Sequence, residues 1–245
     1  MGMKRNHNED NFAVIDEDKL YIVADGMGGH ASGEVASQMA IETVSEFFRS
    51  TSADLDATWP YKMDHSKGYE ENRLITGIKL ANLRIHQTAQ ANAKLRGMGT
   101  TLVSVLVVNE GVIVGHVGDS RVYRMRSGVL QQLTEDHSLL NDYIKMRRLS
   151  DDEIANFPHK NVIVRALGMK EQIKVDTLID RPQPGDIYVL CSDGLSGPVT
   201  DDEIRDITAS AGDIKSVCDN LIARANENGG PDNITVVAAK VMGVG

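Results

Sequence analysis

Residues 101–134, TLVSVLVVNEGVIVGHVGDSRVYRMRSGVLQQLT, alternate between apolar runs and short polar breaks, and this pattern decides the fold class. The apolar runs predict four consecutive strands, at residues 101–108, 111–117, 120–125 and 129–134. Only two or three residues separate each run from the next. A parallel pair needs a crossover of about a dozen residues or more, so we expect the four strands to pair antiparallel.

The sequence on both sides of this block adds further strands and places helices between them. Strands are predicted at residues 12–15, 20–24, 173–179, 187–191 and 234–241. Helices are predicted from apolar spacing at residues 34–49, 70–95 and 213–226. A capping box of Thr200 and Glu203 marks the start of a shorter helix. We therefore expect an α+β protein with sheets in the middle and helix pairs outside, as one domain over residues 1–245.

Residues 137–165 interrupt the strand pattern with a polar segment. One short helix is expected within it, because Ser150 and Glu153 could form a capping box. A polar segment of this kind beside acidic loops is typical of a mobile flap over a binding site.

The composition limits the partners and the compartment. The formal net charge is −9, which argues against a surface for nucleic acid or for an anionic membrane. No apolar run approaches the roughly 20 residues that span a bilayer, and the start of the chain lacks the apolar region of a secretory signal. Cys191 and Cys218 lie far apart in sequence and are expected to be reduced thiols in the cytoplasm.

Five aspartates stand at the edges of predicted strands, and all except Asp10 are close to a glycine: Asp10, Asp25, Asp119, Asp193 and Asp232. Each of them alone could be an ordinary turn residue, because Asp-Gly is a common turn dipeptide. Short connections between antiparallel strands bring the strand ends to one edge, and carboxylates gathered there would repel each other unless hard cations lay among them. All-oxygen ligands suit Mg²⁺ or Mn²⁺, and no Cys/His cluster has the spacing of a zinc site.

Some residues allow more than one interpretation at this stage. Arg5 is either a solvated surface charge or a planar fork for a phosphate oxygen beside the cations. His30, His116 and His137 can each be a loop or core histidine. That interpretation is favoured for His116 and stays open for His30.

Motifs of other enzyme classes have little support. Residues 26–31 fit the G-x-G-x-x-A pattern of a dinucleotide site, but Asp25 would aim a charge at the pyrophosphate. The chain has neither a G-x-S-x-G elbow nor a G-x-x-x-x-G-K loop. Chemistry based on a nucleophilic serine or on a P-loop is therefore not supported.

Seven blocks, in order along nearly the whole chain, resemble the signature of one known family. They are Arg5-x-x-Asn8-Glu9-Asp10, Asp25-Gly26-Met27-Gly28-Gly29-His30, Met98-Gly99-Thr100-Thr101, Gly118-Asp119-Ser120-Arg121, Leu133-Thr134-x-Asp136-His137-Ser138, Ser192-Asp193-Gly194 and Asp232-Asn233-Ile234-Thr235. The family is that of the metal-dependent Ser/Thr protein phosphatases of type 2C (PPM), and the compact length resembles its bacterial branch. The resemblance implies a four-layer α-β-β-α sandwich of two antiparallel sheets flanked by helix pairs.

By this resemblance, the acids have graded roles around two Mn²⁺ or Mg²⁺ ions. Asp25 would bridge both ions. Asp193 and Asp232 would bind the first ion, and the Gly26 carbonyl would bind the second together with waters. Asp119 would complete, with Asp193, a third and weaker cation site.

The resemblance also assigns roles to residues around the ions. Asp10 would hold ion-bound waters, with Glu9 beside it, and Arg5 would hold the substrate phosphate. Animal members carry a His directly after the Asp-Gly pair as the proposed proton donor to the leaving group, whereas this chain has Met27 there. Either His30 or an ion-bound water could take that role.

The activity that the resemblance implies is hydrolysis of phosphoserine and phosphothreonine in proteins, by in-line attack of a hydroxide that bridges the two ions. The expected partners are phosphorylated proteins and the Hanks-type Ser/Thr kinases whose action such enzymes oppose. The main alternative is a non-catalytic phosphoprotein-binding domain on the same fold. Such a domain would have lost ligands, whereas all the expected acids are present in this chain.

Overall fold

Two antiparallel β-sheets lie face to face, with helices on their outer sides, in the computed structural model of the chain. The structure describes residues 1–28, 32–53, 58–109, 111–146, 149–155, 157–158 and 162–243. Within these residues the strands are β1 (Asp10–Ile15), β2 (Leu20–Met27), β3 (Gly99–Thr100), β4 (Leu102–Val108), β5 (Gly111–Val117), β6 (Arg121–Arg126), β7 (Val129–Gln132), β8 (Asp176–Asp180), β9 (Ile187–Cys191) and β10 (Val236–Lys240). The helices are α1 (Ser32–Ala53), α2 (Tyr69–Ala91), α3 (Leu139–Met146), α4 (Asp151–Ala155), α5 (Asp193–Ser196), α6 (Asp201–Ser210) and α7 (Ile214–Glu227).

The strand pairing confirms the antiparallel prediction and corrects it at one connection. The first sheet has the order β1-β2-β4-β5-β8, with the short β3 paired to β2, and the second has the order β10-β9-β6-β7. Strands β5 and β6 are consecutive in the chain but belong to different sheets. The turn at Gly118 and Asp119 therefore carries the chain from one sheet to the other instead of closing a hairpin.

Three apolar clusters join the four layers. Val103 of β4 packs in the cluster between the two sheets, together with Val122 and Leu190 of the second sheet. Leu102 and Leu106 point to the opposite face of β4 and pack in the cluster that includes α1 and α2. Because both faces of β4 are covered, its sequence is an apolar run that only Ser104 interrupts. A third cluster lies between the second sheet and the helices α6 and α7.

The helices differ from the prediction mainly at their ends. α1 is longer than predicted in both directions, and α2 ends at Ala91, earlier than predicted. Asn92 ends α2 because its backbone is extended and its side-chain oxygen accepts the Lys94 N–H in a following 3₁₀ turn. The predicted capping box of Thr200 and Glu203 is present at the start of α6. No helix in the described part of the chain is long and apolar enough to cross a membrane.

Strand β8 is shorter than the strand predicted at residues 173–179. It begins at Asp176, which lies opposite His116 near the end of β5. The register places Val117, the last residue of β5, opposite Val175, so residues before Val175 have no partner in β5.

The described residues of the segment predicted to be a flap, residues 137–165, contain two short helices, α3 and α4, where one was expected. The Ser150 N–H donates to Glu153 Oε2 at 2.8 Å, and the Glu153 N–H donates to Ser150 Oγ at 3.3 Å, so the predicted capping box starts α4. At the base of the segment, Ser138 forms an antiparallel bridge with Ile163. The term flap is used below for residues 137–165, and its motion stays a prediction.

Candidate functional site

The strand register brings the five aspartates to one end of the two sheets. In the first sheet, Asp10 of β1 lies opposite Asp25 of β2. In the second sheet, the last residue of β9 lies opposite the first residues of both β6 and β10. Asp119 comes just before β6, Asp193 just after β9 and Asp232 shortly before β10, so these three segments meet.

The sequence predicted that Asp10 and Asp25 lie just outside the strands at residues 12–15 and 20–24. In the structure both residues lie within strands. Asp10 is the first residue of β1 and is only 4% exposed. Strand β2 continues past Asp25 to Met27. The Ser192 hydroxyl donates to Asp10 Oδ2 at 2.8 Å, whereas Asp10 Oδ1 is buried without a hydrogen-bond partner among the described residues. One oxygen of Asp10 is therefore fixed by the protein, and the other is left to accept from a bound group.

Gly26 lies so close to the backbone around it that only glycine fits. A Cβ at this position would lie 2.1 Å from the Gly33 carbonyl oxygen and 2.5 Å from the Glu9 carbonyl oxygen. The Gly26 N–H donates to the Glu9 carbonyl at 3.1 Å, and the Ser37 hydroxyl donates to the same oxygen at 2.6 Å. These contacts fix the backbone next to Asp25 against the start of α1.

Asp119 lies in the turn that changes sheet, and close packing fixes this turn. Gly118 has a φ of +110°, and a Cβ there would lie 2.6 Å from the Thr101 side chain. Thr101 Oγ1 accepts the Asp25 N–H at 3.0 Å and lies 2.7 Å from Ser120 Oγ. Thr101 therefore ties the strand of Asp25 to the turn of Asp119. Asp119 itself is 8% exposed, and its Oδ1 is buried without a partner in the described part of the chain.

Asp193 is the first residue of the short helix α5, and the loop before β10 packs directly against it. A Cβ on the next residue, Gly194, would lie 1.8 Å from the Asn233 carbonyl oxygen. The Asn233 side chain accepts the Glu9 N–H and donates to the His7 carbonyl, both at 2.8 Å. Asn233 thus holds the N-terminal segment and the segment of Asp193 together.

Arg5 reaches this end of the molecule through contacts of the first residues. The Met3 and Lys4 N–H groups donate to the Gly230 carbonyl at 2.8 and 3.2 Å. This places Arg5 beside the loop before β10, where its Nη2 lies 2.7 Å from Asp232 Oδ2. The Arg5 side chain is 50% exposed, so its guanidinium remains open to solvent.

Burial and mutual repulsion oppose simultaneous ionisation of these carboxyl groups. Burial, with the charge of Asp193 in addition, raises the pKa of Asp119 to about 7, and burial raises the pKa of Asp10 to about 6. The pKa of Asp25 is raised well above its usual value, by burial first and then by the neighbouring acids. Among the described side chains, only Arg5 forms an ion pair with any of the five acids.

This environment fits bound hard cations. Two of the acids, Asp10 and Asp119, have buried oxygens that lack a hydrogen-bond partner among the described residues, and such groups call for a bound ion or water. The available donors are all oxygens, which suits Mg²⁺ and Mn²⁺. An open cavity of about 350 Å³ lies over the site, and its lining includes Asp119, Asp193, Asp232 and the flap residues Ser138 and Leu140.

The sequence singled out the acids but not the neutral residues that position them. Those residues are Thr101, Ser120, Ser192 and Asn233. All four lie within the seven blocks of the family signature, and this position is the one feature of the sequence that could have identified them. His30 lies outside the described residues, so its predicted role as proton donor stays a prediction.

A second group of ligand-type side chains lies at the base of the flap. The ligand atoms of His116, His137 and Asp176 lie within 4.8 Å of one another. However, Arg165 Nη1 lies 2.7 Å from Asp176 Oδ2 and 3.0 Å from His137 Nε2. A guanidinium therefore already occupies the position between these groups, and we interpret the cluster as a network of ion pairs and hydrogen bonds.

Comparisons with known proteins agree on one family. The profile described as protein phosphatase 2C matches residues 3–235. The serine/threonine phosphatase stp of Listeria welshimeri is 40% identical over 243 residues, which cover 96% of this chain and 91% of that protein. Among solved structures, the serine/threonine phosphatase Stp1 from Staphylococcus aureus is similar with a TM-score of 0.86 and 32% identity, covering 99% of this chain and 92% of that one.

A further solved structure contains metal ions. It is the catalytic domain of the phosphatase PstP in complex with two manganese ions, with a TM-score of 0.79, 33% identity and coverage of 98% of this chain and 94% of that one. The fold of these relatives agrees with the two antiparallel sheets flanked by helices seen here. The chain therefore belongs to the bacterial branch of the protein phosphatase 2C family and is a serine/threonine protein phosphatase.

Proposed function

We propose that residues 1–245 act as one catalytic domain that hydrolyses phosphoserine and phosphothreonine in cytoplasmic proteins, opposing Ser/Thr kinases, with two Mn²⁺ or Mg²⁺ ions at its aspartates. The observation that carries this proposal is the convergence of five carboxylates at one end of the sheets. Two of them have buried oxygens without a partner among the described residues. Such an arrangement is unfavourable for an empty structural site and suitable for one that binds cations.

Different residues at this end of the sheets would bind different cations. Asp25 would contact both ions of the central pair, Asp193 and Asp232 would hold the first, and the Gly26 carbonyl would hold the second. The two manganese ions of the related PstP domain support this pair. Asp119, buried with an unpartnered oxygen, would bind a third and weaker ion together with Asp193. When bound, the ions would lower the pKa of a water molecule and offset negative charge on the phosphate.

The side chains of the protein would orient the reactants. Arg5 is half exposed and would donate two hydrogen bonds to the phosphate oxygens once Asp232 contacts an ion. Asp10 Oδ1 would accept a hydrogen bond from the attacking water, while Ser192 fixes the other oxygen. Together these contacts would align the water with the leaving oxygen. The leaving serine or threonine oxygen would take its proton from His30 or from a water molecule.

Removal and return of divalent ions test the proposal. The full chain, freed of metal with EDTA, is expected to release no phosphate from p-nitrophenyl phosphate or from a phosphothreonine peptide. Addition of Mn²⁺ or Mg²⁺ should restore both activities. Hydrolysis that persists without a divalent ion would contradict the cation assignment, and metal-loaded protein that binds the peptide without releasing phosphate would favour the binding-domain alternative.

A further inference from the structure

His137 lies at the crossing point of three segments at the base of the flap. Its N–H donates to the Gly118 carbonyl at 2.9 Å, and its carbonyl accepts the Val164 N–H at 2.9 Å. Its imidazole lies 3.0 Å from the Gly118 nitrogen through Nδ1 and 2.9 Å from Asp176 through Nε2. One residue therefore contacts the turn that carries Asp119, the far end of the flap and the start of β8.

The partners of the imidazole decide which ring nitrogen carries the proton. A backbone N–H can only donate, so His137 Nδ1 must accept from Gly118. The proton of a neutral ring then lies on Nε2, which donates to Asp176 Oδ2. Arg165 Nη1, 3.0 Å from Nε2, therefore donates to Asp176 and not to the ring. Burial, followed by the nearby His116 and Arg165, lowers the pKa of His137 to about 4, so the ring is neutral near pH 7. The hydrogen bond to Gly118 is therefore present under ordinary conditions.

The turn that His137 contacts also packs closely against Thr101. A Cβ at Gly118 would lie 2.6 Å from Thr101, which shows how closely the two segments pack. The Gly118 peptide is thus held between Thr101 and both the ring and the backbone of His137. Asp119 follows this peptide directly, so a displacement of His137 would displace the Asp119 carboxylate.

The far end of the flap joins the same network. Arg165 Nη1 lies 2.7 Å from Asp176 Oδ2, the oxygen that also accepts from His137. Lys174 Nζ lies 2.7 Å from the other oxygen of Asp176. The two ends of the flap are therefore connected through one carboxylate, and His137 connects that carboxylate to the Gly118 turn.

We propose that His137 is a positioning residue that couples the position of the flap to the position of Asp119. The residues that follow it, Ser138 and Leu140, line the cavity over the aspartates. A protein substrate that displaces the flap would therefore displace Asp119 through this imidazole. The inference rests on the proposed function, which gives Asp119 the weaker cation.

Two substitutions of His137 distinguish the contact of Nδ1 with Gly118 from the contact of Nε2 with Asp176. His137→Asn places an amide oxygen near the position of Nδ1, so it keeps an acceptor for the Gly118 N–H. His137→Gln places its amide near the position of Nε2, so it keeps a donor to Asp176 and loses the acceptor for Gly118. His116→Gln is the matched control, because His116 is also buried and stacks on His137 at 4.9 Å, but its 3.0 Å contact is with the Glu135 carbonyl.

The experiment measures amide hydrogen exchange of Gly118 in the metal-free full chain, and kcat and KM for p-nitrophenyl phosphate with saturating Mn²⁺. In His137→Gln we expect exchange at Gly118 to be about tenfold faster, because one hydrogen bond is lost. We also expect kcat to fall by about tenfold with KM within about twofold, as for other groups that orient a metal ligand. His137→Asn and His116→Gln should stay within about threefold of wild type in both measurements.

Equal exchange at Gly118 in the Asn and Gln variants, or an equal loss of kcat in the two, would overturn the proposal. A second measurement uses the wild type alone. The amides of Gly118 and Val164 both donate to His137, so they should exchange through one common opening event, and their protection factors should agree within about threefold. Separate openings of the two amides would also overturn the coupling. Failure of the proposed function can be distinguished from failure of this inference. In the first case the wild type would lack Mn²⁺-dependent hydrolysis, whereas the hydrogen-exchange measurements on the metal-free chain would still test the contact between His137 and Gly118.

Discussion

At the scale of single residues, Asp193 is the acid whose substitution gives the clearest test of the cation pair. Replacing Asp193 with Asn should lower hydrolysis of p-nitrophenyl phosphate by about 100-fold or more, because bound cations contribute several kcal/mol to the transition state. Calorimetric titration should show weaker Mn²⁺ binding. Since the same change removes a buried like charge, the unfolding midpoint of the metal-free protein should not fall.

Asp232→Asn should give the same kinetic and binding losses, while Asp206→Asn serves as the control. Asp206 is exposed on α6 and lies away from the cavity lining, so its change should leave both measurements at the wild-type level. Full activity in either Asp193→Asn or Asp232→Asn would remove the basis for the cation assignment.

Asp119 is expected to behave differently from these two. Asp119→Ala should lower turnover by about tenfold or more while two Mn²⁺ ions per chain remain bound, because it would hold only the weaker third ion. Calorimetric titration counts the bound ions, and steady-state kinetics measures the turnover. If the variant lost all bound Mn²⁺, Asp119 would have to be a ligand of the central pair.

The site could be predicted only in part, for a reason that lies in the residues themselves. A carboxylate at the edge of a strand, in four of the five cases close to a glycine, leaves a local trace in the sequence, and the five aspartates were found in this way. Thr101 and Asn233 leave no such trace, because they bind backbone groups 76 and 224 residues away in the chain. Only the resemblance to a family signature marked their positions.

At the scale of secondary structure, short connections predicted the pairing correctly within each sheet but not between β5 and β6. A polar two-residue break is compatible with a hairpin and with a change of sheet. The outcome depends on the packing of Gly118 against Thr101, which the strand pattern does not encode. The helix α5 was missed for a similar reason, since four residues are too few to show helical spacing.

Helix α3 of the flap provides a prediction about substrate choice. Replacing Ile144 and Lys145 with Gly should loosen the last turn of α3, since each Gly costs up to about 1 kcal/mol in a helix and the change at Lys145 also removes its ion pair with Glu135. Leu140, in the first turn of α3, lines the cavity, so we expect KM for a phosphorylated protein to rise several-fold. Hydrolysis of p-nitrophenyl phosphate should stay within about twofold, because the substitutions leave His137 and its contacts with Gly118 in place and the small ester needs few contacts with the flap.

The same pair of substitutions in α7, at the exposed Lys215 and Asp219, is the matched control for the flap. It weakens a helix that packs on the second sheet and should leave both substrates unaffected. Parallel losses on the protein and on the small ester in the α3 variant would argue against a flap that faces the substrate.

At the scale of the whole molecule, the net charge of −9 opposes the approach of acidic substrates. Raising the salt concentration from about 0.01 M to 0.15 M shortens the Debye length from about 30 Å to 8 Å and screens this repulsion. We therefore expect kcat/KM for an acidic phosphopeptide to rise relative to that for a basic phosphopeptide of the same length. A ratio that is independent of salt would contradict this long-range repulsion, and a ratio that falls with added salt would show that the positive charges of Arg5 and the cations dominate.

The metal-free molecule gathers five carboxylates at one end, so the bound cations should stabilise the fold as well as the reaction. Binding at 100 times the dissociation constant contributes about 2.7 kcal/mol, provided that the unfolded chain does not bind. For a chain of this size, about 1 kcal/mol shifts the unfolding midpoint by roughly 2–4 °C, so saturating Mn²⁺ should raise it by about 5–10 °C. Thermal unfolding followed by circular dichroism, in EDTA and in Mn²⁺, measures the shift. In Asp193→Asn the shift should be much smaller, because a ligand is lost while one repulsive charge is already absent. If Mn²⁺ raised the midpoint of wild type and Asp193→Asn equally, the stabilising ion would be bound elsewhere than among these aspartates.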